Sequence, residues 1–240
     1  MTPKIGELRK EILASENIGE SKKVPLPKTE EDQNYIFISY AHADYKSVYC
    51  DLLCLLKNRV HFWYDEGLTA GEYWRDEVRK KIQDPHCAGV IFYVTENLFF
   101  SPSAMEEIQW VREKLGEDEE AARNFFAVHI GGKSADRMLL EDLPQKYSYD
   151  ERKAKGLNGK RVQLLLDMFE GTYIAKKEEP GSESHIPKLL EQIARKFNVI
   201  DSAEIVNQFA DGSYEGALTD GVRDGYGEMK YLDGAVYAGD

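Results

Sequence analysis

YIFISYAHADYKSVYCDLLCLLKNRVHFWYD, residues 35 to 65, is the stretch on which the fold turns. YIFISY (35 to 40) is a compact apolar and aromatic run suited to a buried strand. Asp44 then precedes a segment whose Val48, Leu52, Leu55 and Leu56 share one helical face, and RVHFWYD (59 to 65) is a second strand. The pattern repeats outward along the chain. GEYWRDEVRKKI (71 to 82) places Trp74, Val78 and Ile82 four apart on a helix. AGVIFYV (88 to 94) is a third strand, SPSAMEEIQW (101 to 110) opens a helix, and NFFAVHI (124 to 130) is a fourth strand. Short apolar strands alternating with helices imply an α/β domain with a parallel sheet covered on both faces, because parallel crossovers put helices there.

The flanks read differently. Residues 4 to 14 form a short amphipathic helix with Ile5, Leu8 and Ile12 on one face, and KKVPLPKTEEDQN (22 to 34) reads as an extended polar linker, so the domain is expected to start near Tyr35. After Ile130 a loop-rich stretch is expected to about residue 160. VQLLLDMFEGTYIAKK follows, in which TYIAK stays open as a fifth strand, and IPKLLEQIARKFNV (186 to 199) is a clear helix. The expected division is 1–34 (helix and linker), 35–200 (α/β domain) and 201–240 (a region of another kind).

A net charge of −12 over 240 residues argues against holding nucleic acid or anionic lipid by bulk electrostatics, since both need clustered Lys and Arg. No apolar stretch approaches the length of a membrane span, and MTPKIGELRK lacks the apolar core of a signal peptide, so a cytoplasmic protein is expected. Cys50, Cys54 and Cys87 make neither a disulfide framework nor a metal pattern, and the five histidines are scattered singly. No metal site and no bound cofactor are expected.

SPSAMEEIQW carries two adjacent glutamates. Ser101-Pro102 fits an N-cap followed by proline at the first helical position, and Ser103 with Glu106 fits a capping box two residues on. Acidic residues in a first turn also suit the helix dipole. At about 100° per residue, Ala104, Ile108, Val111 and Leu115 fall in one arc that faces the sheet. Glu106 then points roughly opposite, into water. Glu107 lies about 60° to one side of the core arc, with Trp110 on the same flank, where a side chain reaches over the strand ends. Ligands of open α/β sheets sit beyond those ends, and there Tyr40, Asp44, Asp65 and the turn 103 to 107 converge.

In SYEGALTDGVRDGYGEMKYLDGAVYAGD the triplet Tyr214-Glu-Gly216 recurs 23 residues later as Tyr237-Ala-Gly239, with Asp-Gly pairs between. Glycines follow turn logic and aromatics strand logic, so the unit is a β-hairpin that stacks on copies of itself. It resembles the MORN repeat, whose pattern YxGxxxxGxxxGxG is met by Tyr214, Gly216, Gly221, Gly225 and Gly227. One full repeat and the start of a second are present, so a truncated array, or an edge paired between chains, is expected.

FISYAHAD (37 to 44), WYDEGLTAGEYW (63 to 74) and VTENLFFSPSAMEEI (94 to 108) resemble, in order and spacing, the three sequence boxes of the TIR (Toll/interleukin-1 receptor homology) domain, most nearly its bacterial branch. The resemblance spans about residues 35 to 200 and implies a flavodoxin-like fold. Some TIR domains are adaptors that only assemble. Others cut the nicotinamide-ribose bond of NAD+, using a glutamate within a pattern like SxWCxxE. That pattern lies on Ser101 to Glu107, with the departure that Ser103 and Ala104 stand where tryptophan and cysteine are common. The resemblance therefore implies Glu107 as the catalytic carboxylate of an NAD+ glycohydrolase or cyclase, with NAD+ as substrate and not cofactor. The alternatives are a non-catalytic adaptor and a flavodoxin-like regulator or nucleoside-processing enzyme. Tyr40, His42, Asp44, Tyr73 and Ser103 are the candidate substrate contacts. Asp65, Leu68, Gly71 and Trp74 are assigned to the loop that meets a neighbour in TIR assemblies, although Trp74 also shares the core face of Val78 and Ile82. The expected partners are a second copy of the TIR surface and further repeats or a sensor acting on the tail.

Overall fold

The computed structural model describes residues 5–27, 33–65, 72–116, 125–169, 174–177, 181–197, 199–200, 206–209, 212–219, 222–231 and 236–239. In chain order these form α1 (Ile5–Ala14), β1 (Tyr35–Ser39), a 3-10 turn (His42–Asp44), α2 (Tyr45–Lys57), β2 (Phe62–Tyr64), α3 (Glu72–Gln83), β3 (Cys87–Val94), α4 (Glu96–Phe100), α5 (Pro102–Leu115) and β4 (Phe125–Ile130). A helical run follows: α6 (Ala135–Arg137), a π-helical stretch (Met138–Asp142), α7 (Leu143–Lys146), α8 (Tyr149–Ala154) and α9 (Gly159–Phe169). The chain ends with β5 (Ile174–Lys177), α10 (Ile186–Lys196) and the strands β6 (Val206–Phe209), β7 (Gly212–Thr219), β8 (Val222–Tyr231) and β9 (Val236–Gly239).

The first five strands are parallel and ordered β2-β1-β3-β4-β5. This is the flavodoxin-like order, with its switch point between β1 and β3, where the carboxyl ends of neighbouring strands lead their connections to opposite faces. The burial pattern explains the topology. Every residue of β1 is buried, and Ile36 and Ile38 join one core layer while Tyr35 and Phe37 join the other. The first layer is closed by α2 and α10, through Val48, Leu52, Leu55, Leu189 and Ile193. The second is closed by α3, α5 and α9, through Val78, Ile82, Ile108, Val111 and Leu165. The faces read from the sequence for α2, α3 and α5 are buried in these layers, whereas Ile5 of α1 is exposed and the Leu115 side chain lies outside the described residues.

Three expectations change. The segment expected as a linker contributes to the core: Val24 is fully buried with Leu8 and Ile12 against α2, and Tyr64 Oη donates to the Val24 carbonyl at 2.5 Å. One apolar residue among prolines and charges carries no periodicity, so only the fold reveals its burial. The stretch expected to be loop-rich is largely helical from Ala135 to Ala154. Its segments are too short to show a 3.6-residue period, but α8 opens on a capping box in which Ser148 and Glu151 bond each other's backbone amides. The question left open at TYIAK is answered by β5, Ile174–Lys177, which pairs with β4 from Ala127–Ile174 to Ile130–Lys177, while residues 172 and 173 lie outside the described residues.

The last four strands form an antiparallel sheet, β6-β7-β8-β9. The 23-residue recurrence has a geometric meaning in it. Tyr214 and Tyr237 both pair with Met229, and Gly216 and Gly239 both pair with Gly227, one on each side of β8. The repeated triplet thus falls in register across the central strand, forming a row of glycines beside a row of large side-chain positions. The register of β7 shifts between Gly216 and Leu218, so a bulge follows the glycine row.

Candidate active site

At the carboxyl end of β1 a small cavity of about 100 Å³ is lined by Ile38, Tyr40, His42, Asp65, Trp74, Ser101, Ser103 and Glu107. Four elements meet there: the ends of β1 and β2, the start of α3 and the first turns of α5. Ser101 caps α5, its Oγ accepting from the Ala104 amide at 3.2 Å, with Pro102 in the first turn. The cap is thus Ser101, and the Ser103 hydroxyl is left to line the cavity.

The helix separates the two glutamates. Glu106 is not simply solvated as expected: it is partly exposed and ion-paired with Arg75 of α3, whose Nε donates to it at 2.7 Å. Glu107 is only 5% exposed and turns into the cavity. Its Oε2 accepts from Ser39 Oγ at 2.5 Å. Burial pushes its pKa up to about 8, against the lowering effect of the Ser39 bond, and the nearby Asp65 charge adds to the rise. Carboxyls shifted this far within cavities cluster at functional sites.

Asp65, 4% exposed, anchors the opposite wall. Its Oδ2 accepts from Trp74 Nε1 at 2.9 Å and lies 3.1 Å from His42 Nε2, while its backbone carbonyl accepts from Tyr40 Oη at 3.1 Å. Three of the expected site residues are therefore oriented by the fourth. Burial raises the Tyr40 phenol well above its ordinary range, so it acts as a hydrogen-bond donor. Trp74 combines both expected roles, since it belongs to the core beside Val78 and Ile82 and also lines the cavity. Replacing Asp65 by Ala should strand the buried indole N–H and cost about 1–3 kcal/mol. A chemical-denaturation midpoint that did not move would show that Trp74 finds another acceptor.

Not every expected residue converges. Asp44 does not line the cavity: its two oxygens accept from Thr95 Oγ1 at 2.5 Å and Asn97 Nδ2 at 2.8 Å, which ties the β1–α2 connection to the start of α4. Trp110 is half-buried and also absent from the lining. Leu68 and Gly71 lie outside the described residues, as does the Tyr73 side chain. Conversely, Ser39 was missed. The available signal was the lone hydroxyl at the carboxyl end of an otherwise apolar strand, the place in an open α/β sheet where a polar side chain meets ligand.

Among the described residues, no group of three or more His, Cys, Asp or Glu could hold a metal ion, and no helix is long and apolar enough to cross a membrane. One protein family, described as TIR domain, matches residues 36–162. No curated protein matches the chain.

Proposed function

Since the chain belongs to the TIR domain family, which supports a signalling or defence role, we propose that it cleaves the nicotinamide-ribose bond of NAD+ with Glu107 as the catalytic carboxylate. The observation that carries this reading is the burial of Glu107 in a cavity, with one oxygen held by Ser39 and, among the described residues, no lysine or arginine in the lining.

The chemistry needs only one carboxylate. Glycoside cleavage ordinarily requires an acid to protonate the leaving group. Nicotinamide in NAD+ is already cationic and leaves neutral, so that acid is dispensable. The C1′–N bond breaks with its electron pair going to the ring nitrogen, and positive charge passes to the ribose. Ionised Glu107 stabilises that charge in a dry site or captures the anomeric carbon. Water then yields ADP-ribose, whereas attack by the substrate's own adenine yields a cyclic product. At about 100 Å³ the cavity is well below the roughly 300–1,000 Å³ of ordinary ligand pockets, which suits one ring or the ribose while the diphosphate stays outside. Tyr40, His42 and Ser103 are the proposed contacts to that end of the substrate, and Tyr73, whose side chain lies outside the described residues, is kept as a further candidate. Asp44 serves from outside the cavity, by fixing the β1–α2 connection.

Incubating concentrated protein with NAD+ and resolving nicotinamide, ADP-ribose and cyclic products by chromatography tests the reading. Because kcat/KM reports ionisation in the free enzyme and the charged form is the active one, the rate should climb with pH and level off above about 8. A rate that is flat from pH 6 to 9 would show that the reaction does not depend on a carboxyl ionising near 8. The small volume, and Ser103 and Ala104 in place of tryptophan and cysteine, favour a second reading, an assembly-only adaptor. Absence of nicotinamide at any protein concentration would establish that one.

TIR domains commonly self-associate, and we assign the same to this one, through the segment 66–72 with its flanking Asp65 and Trp74. The antiparallel sheet we read as MORN-like, on the in-register Tyr-x-Gly triplets, and as the element that drives assembly or senses a trigger, through further repeats or a partner. Cutting the chain after Ile200 should lower the oligomer mass in light scattering and reduce activity several-fold. Unchanged mass and rate would take this role from the sheet. A cytoplasmic setting, where NAD+ is available, goes with this reading.

A further inference from the structure

Arg161, on the first turn of α9, reaches the site from far along the chain. Its Nη2 donates to the Ser101 carbonyl at 2.9 Å and its Nη1 to the Gly156 carbonyl at 3.2 Å. Asn158 Oδ1 accepts from the Arg161 amide at 3.0 Å, so the short connection 156–158 and the guanidinium brace each other. The arrangement is costly. The guanidinium is partly buried, its pKa is lowered by that desolvation, and its Nε has no acceptor. Gly156 is shaped around it. Its φ is +86°, and a Cβ there would stand 2.7 Å from Arg161 Nη1. Side chains with no task do not usually sit in such surroundings.

Ser101 is the residue that Arg161 holds, and it is the pivot of the site. It caps α5, lines the cavity, and its carbonyl also accepts from the Met105 amide at 3.2 Å. Among the described residues, the other side-chain bonds between α5 and neighbouring elements lie further along the helix: Glu106, Glu107, the Trp110 carbonyl and Glu113 accept from Arg75, Ser39, Gln83 and Arg79, and Lys114 donates to the Asp84 and Cys87 carbonyls. The cap and first turn, which carry the lining residues Ser101 and Ser103, have Arg161 as their tether. On its outer side Arg161 lines an open groove of about 720 Å³ with Arg112 and Lys160.

We propose that Arg161 is a positioning residue for the carboxylate site: by clamping the Ser101 carbonyl to the 156–158 connection it holds the first turn of α5, and so sets Glu107 against Ser39 and keeps the groove's water out of the cavity. The kinetic form of this proposal rests on the NAD+-cleaving reading. Its geometric form does not, because the ionisation of Glu107 reports the dryness of the cavity whether or not the protein is an enzyme.

The test follows Glu107 by carbon-13 carboxyl NMR titration and NAD+ cleavage by nicotinamide release, in the full chain and in Arg161→Gln, Arg161→Lys and Gly156→Ala. In the full chain the Glu107 midpoint should lie near 8. Arg161→Gln should bring it down by a unit or more as water enters and lower kcat about tenfold with KM little changed, since small misplacements near reacting groups are expensive. Arg161→Lys, with one ammonium in place of a two-pronged fork, should recover only part of both. Gly156→Ala, which leaves Ser101 and Arg161 in the sequence, should reproduce the Arg161→Gln pattern. A loss of melting temperature with the midpoint unmoved would overturn the proposal and leave Arg161 an ordinary brace. So would full recovery by lysine. A midpoint that moves in a protein that cleaves no NAD+ would sink the enzymatic reading and keep the clamp. Unchanged midpoint and rate in Arg161→Gln, in a protein that does cleave NAD+, would do the reverse.

Discussion

Glu107→Gln should abolish nicotinamide release from NAD+, by at least about a hundredfold to a thousandfold, the loss that follows removal of one preorganised electrostatic group. Glutamine keeps the volume of the side chain and an oxygen able to accept from Ser39 Oγ, so a fall in rate reports the lost charge and not a collapsed cavity. Glu106→Gln is the control, one residue away on the same helix. It breaks the ion pair with Arg75, a partly exposed pair of the kind that contributes at most about 1 kcal/mol, and leaves the cavity alone. The rate should follow Glu107 only. Equal loss in both variants would mean that the start of α5 had been disturbed as a unit. Full activity in Glu107→Gln would mean that another group, with Asp65 the nearest buried carboxylate in the lining, carries the charge.

The second large effect needs no substrate. A carboxyl whose pKa is raised by folding holds its proton more tightly in the native state than in the unfolded chain. Its contribution is neutral at acid pH, and stability is lost as pH climbs from the ordinary value of 4.5 through about 8. At about 1.4 kcal/mol per pH unit the loss attributable to Glu107 reaches roughly 4–5 kcal/mol by pH 9, a large part of the 5–15 kcal/mol of a typical domain. Glu107→Gln removes that slope. Denaturant unfolding at pH 5, 7 and 9 should show wild type and variant drawing apart as pH rises, with the variant the more stable at pH 9. The margin will be smaller than the full loss, because the buried amide introduces N–H groups that need partners. Parallel pH profiles would show that Glu107 is not held in a dry cavity. Burial that strengthens the field of a carboxylate also makes it a burden on the fold.

How much of this was readable from the chain differs by element. Strands such as YIFIS and CAGVIFYV, and helix faces such as Trp74-Val78-Ile82, announce themselves because burial on one or both sides imposes a period or an apolar run on consecutive residues. The cap at Ser101-Pro102 and the separation of Glu106 from Glu107 were equally legible, since both follow from the pitch of a single helix. Val24 and the short helices between Ala135 and Ala154 were not, because a lone buried residue and helices of a turn or so carry no repeating signal. Nor was the in-register stacking of the Tyr-x-Gly triplets about Met229 and Gly227, which needs the pairing of three strands.

What the sequence determined by itself was the α/β class, the approximate course of its central elements and the glutamate that turns toward the strand ends, all consequences of local geometry repeated along the chain. Only the tertiary structure decided the company that glutamate keeps. Ser39, 68 residues before it, supplies its hydrogen bond, Asp65 gathers Tyr40, His42 and Trp74 into the facing wall, and Arg161 secures the turn on which it begins. Asp44, which the chain alone placed in the site, is drawn away to Thr95 and Asn97. Hydrogen-bond partners and the dryness that shifts a pKa depend on residues brought together from distant parts of the chain, and no periodicity within one element encodes them.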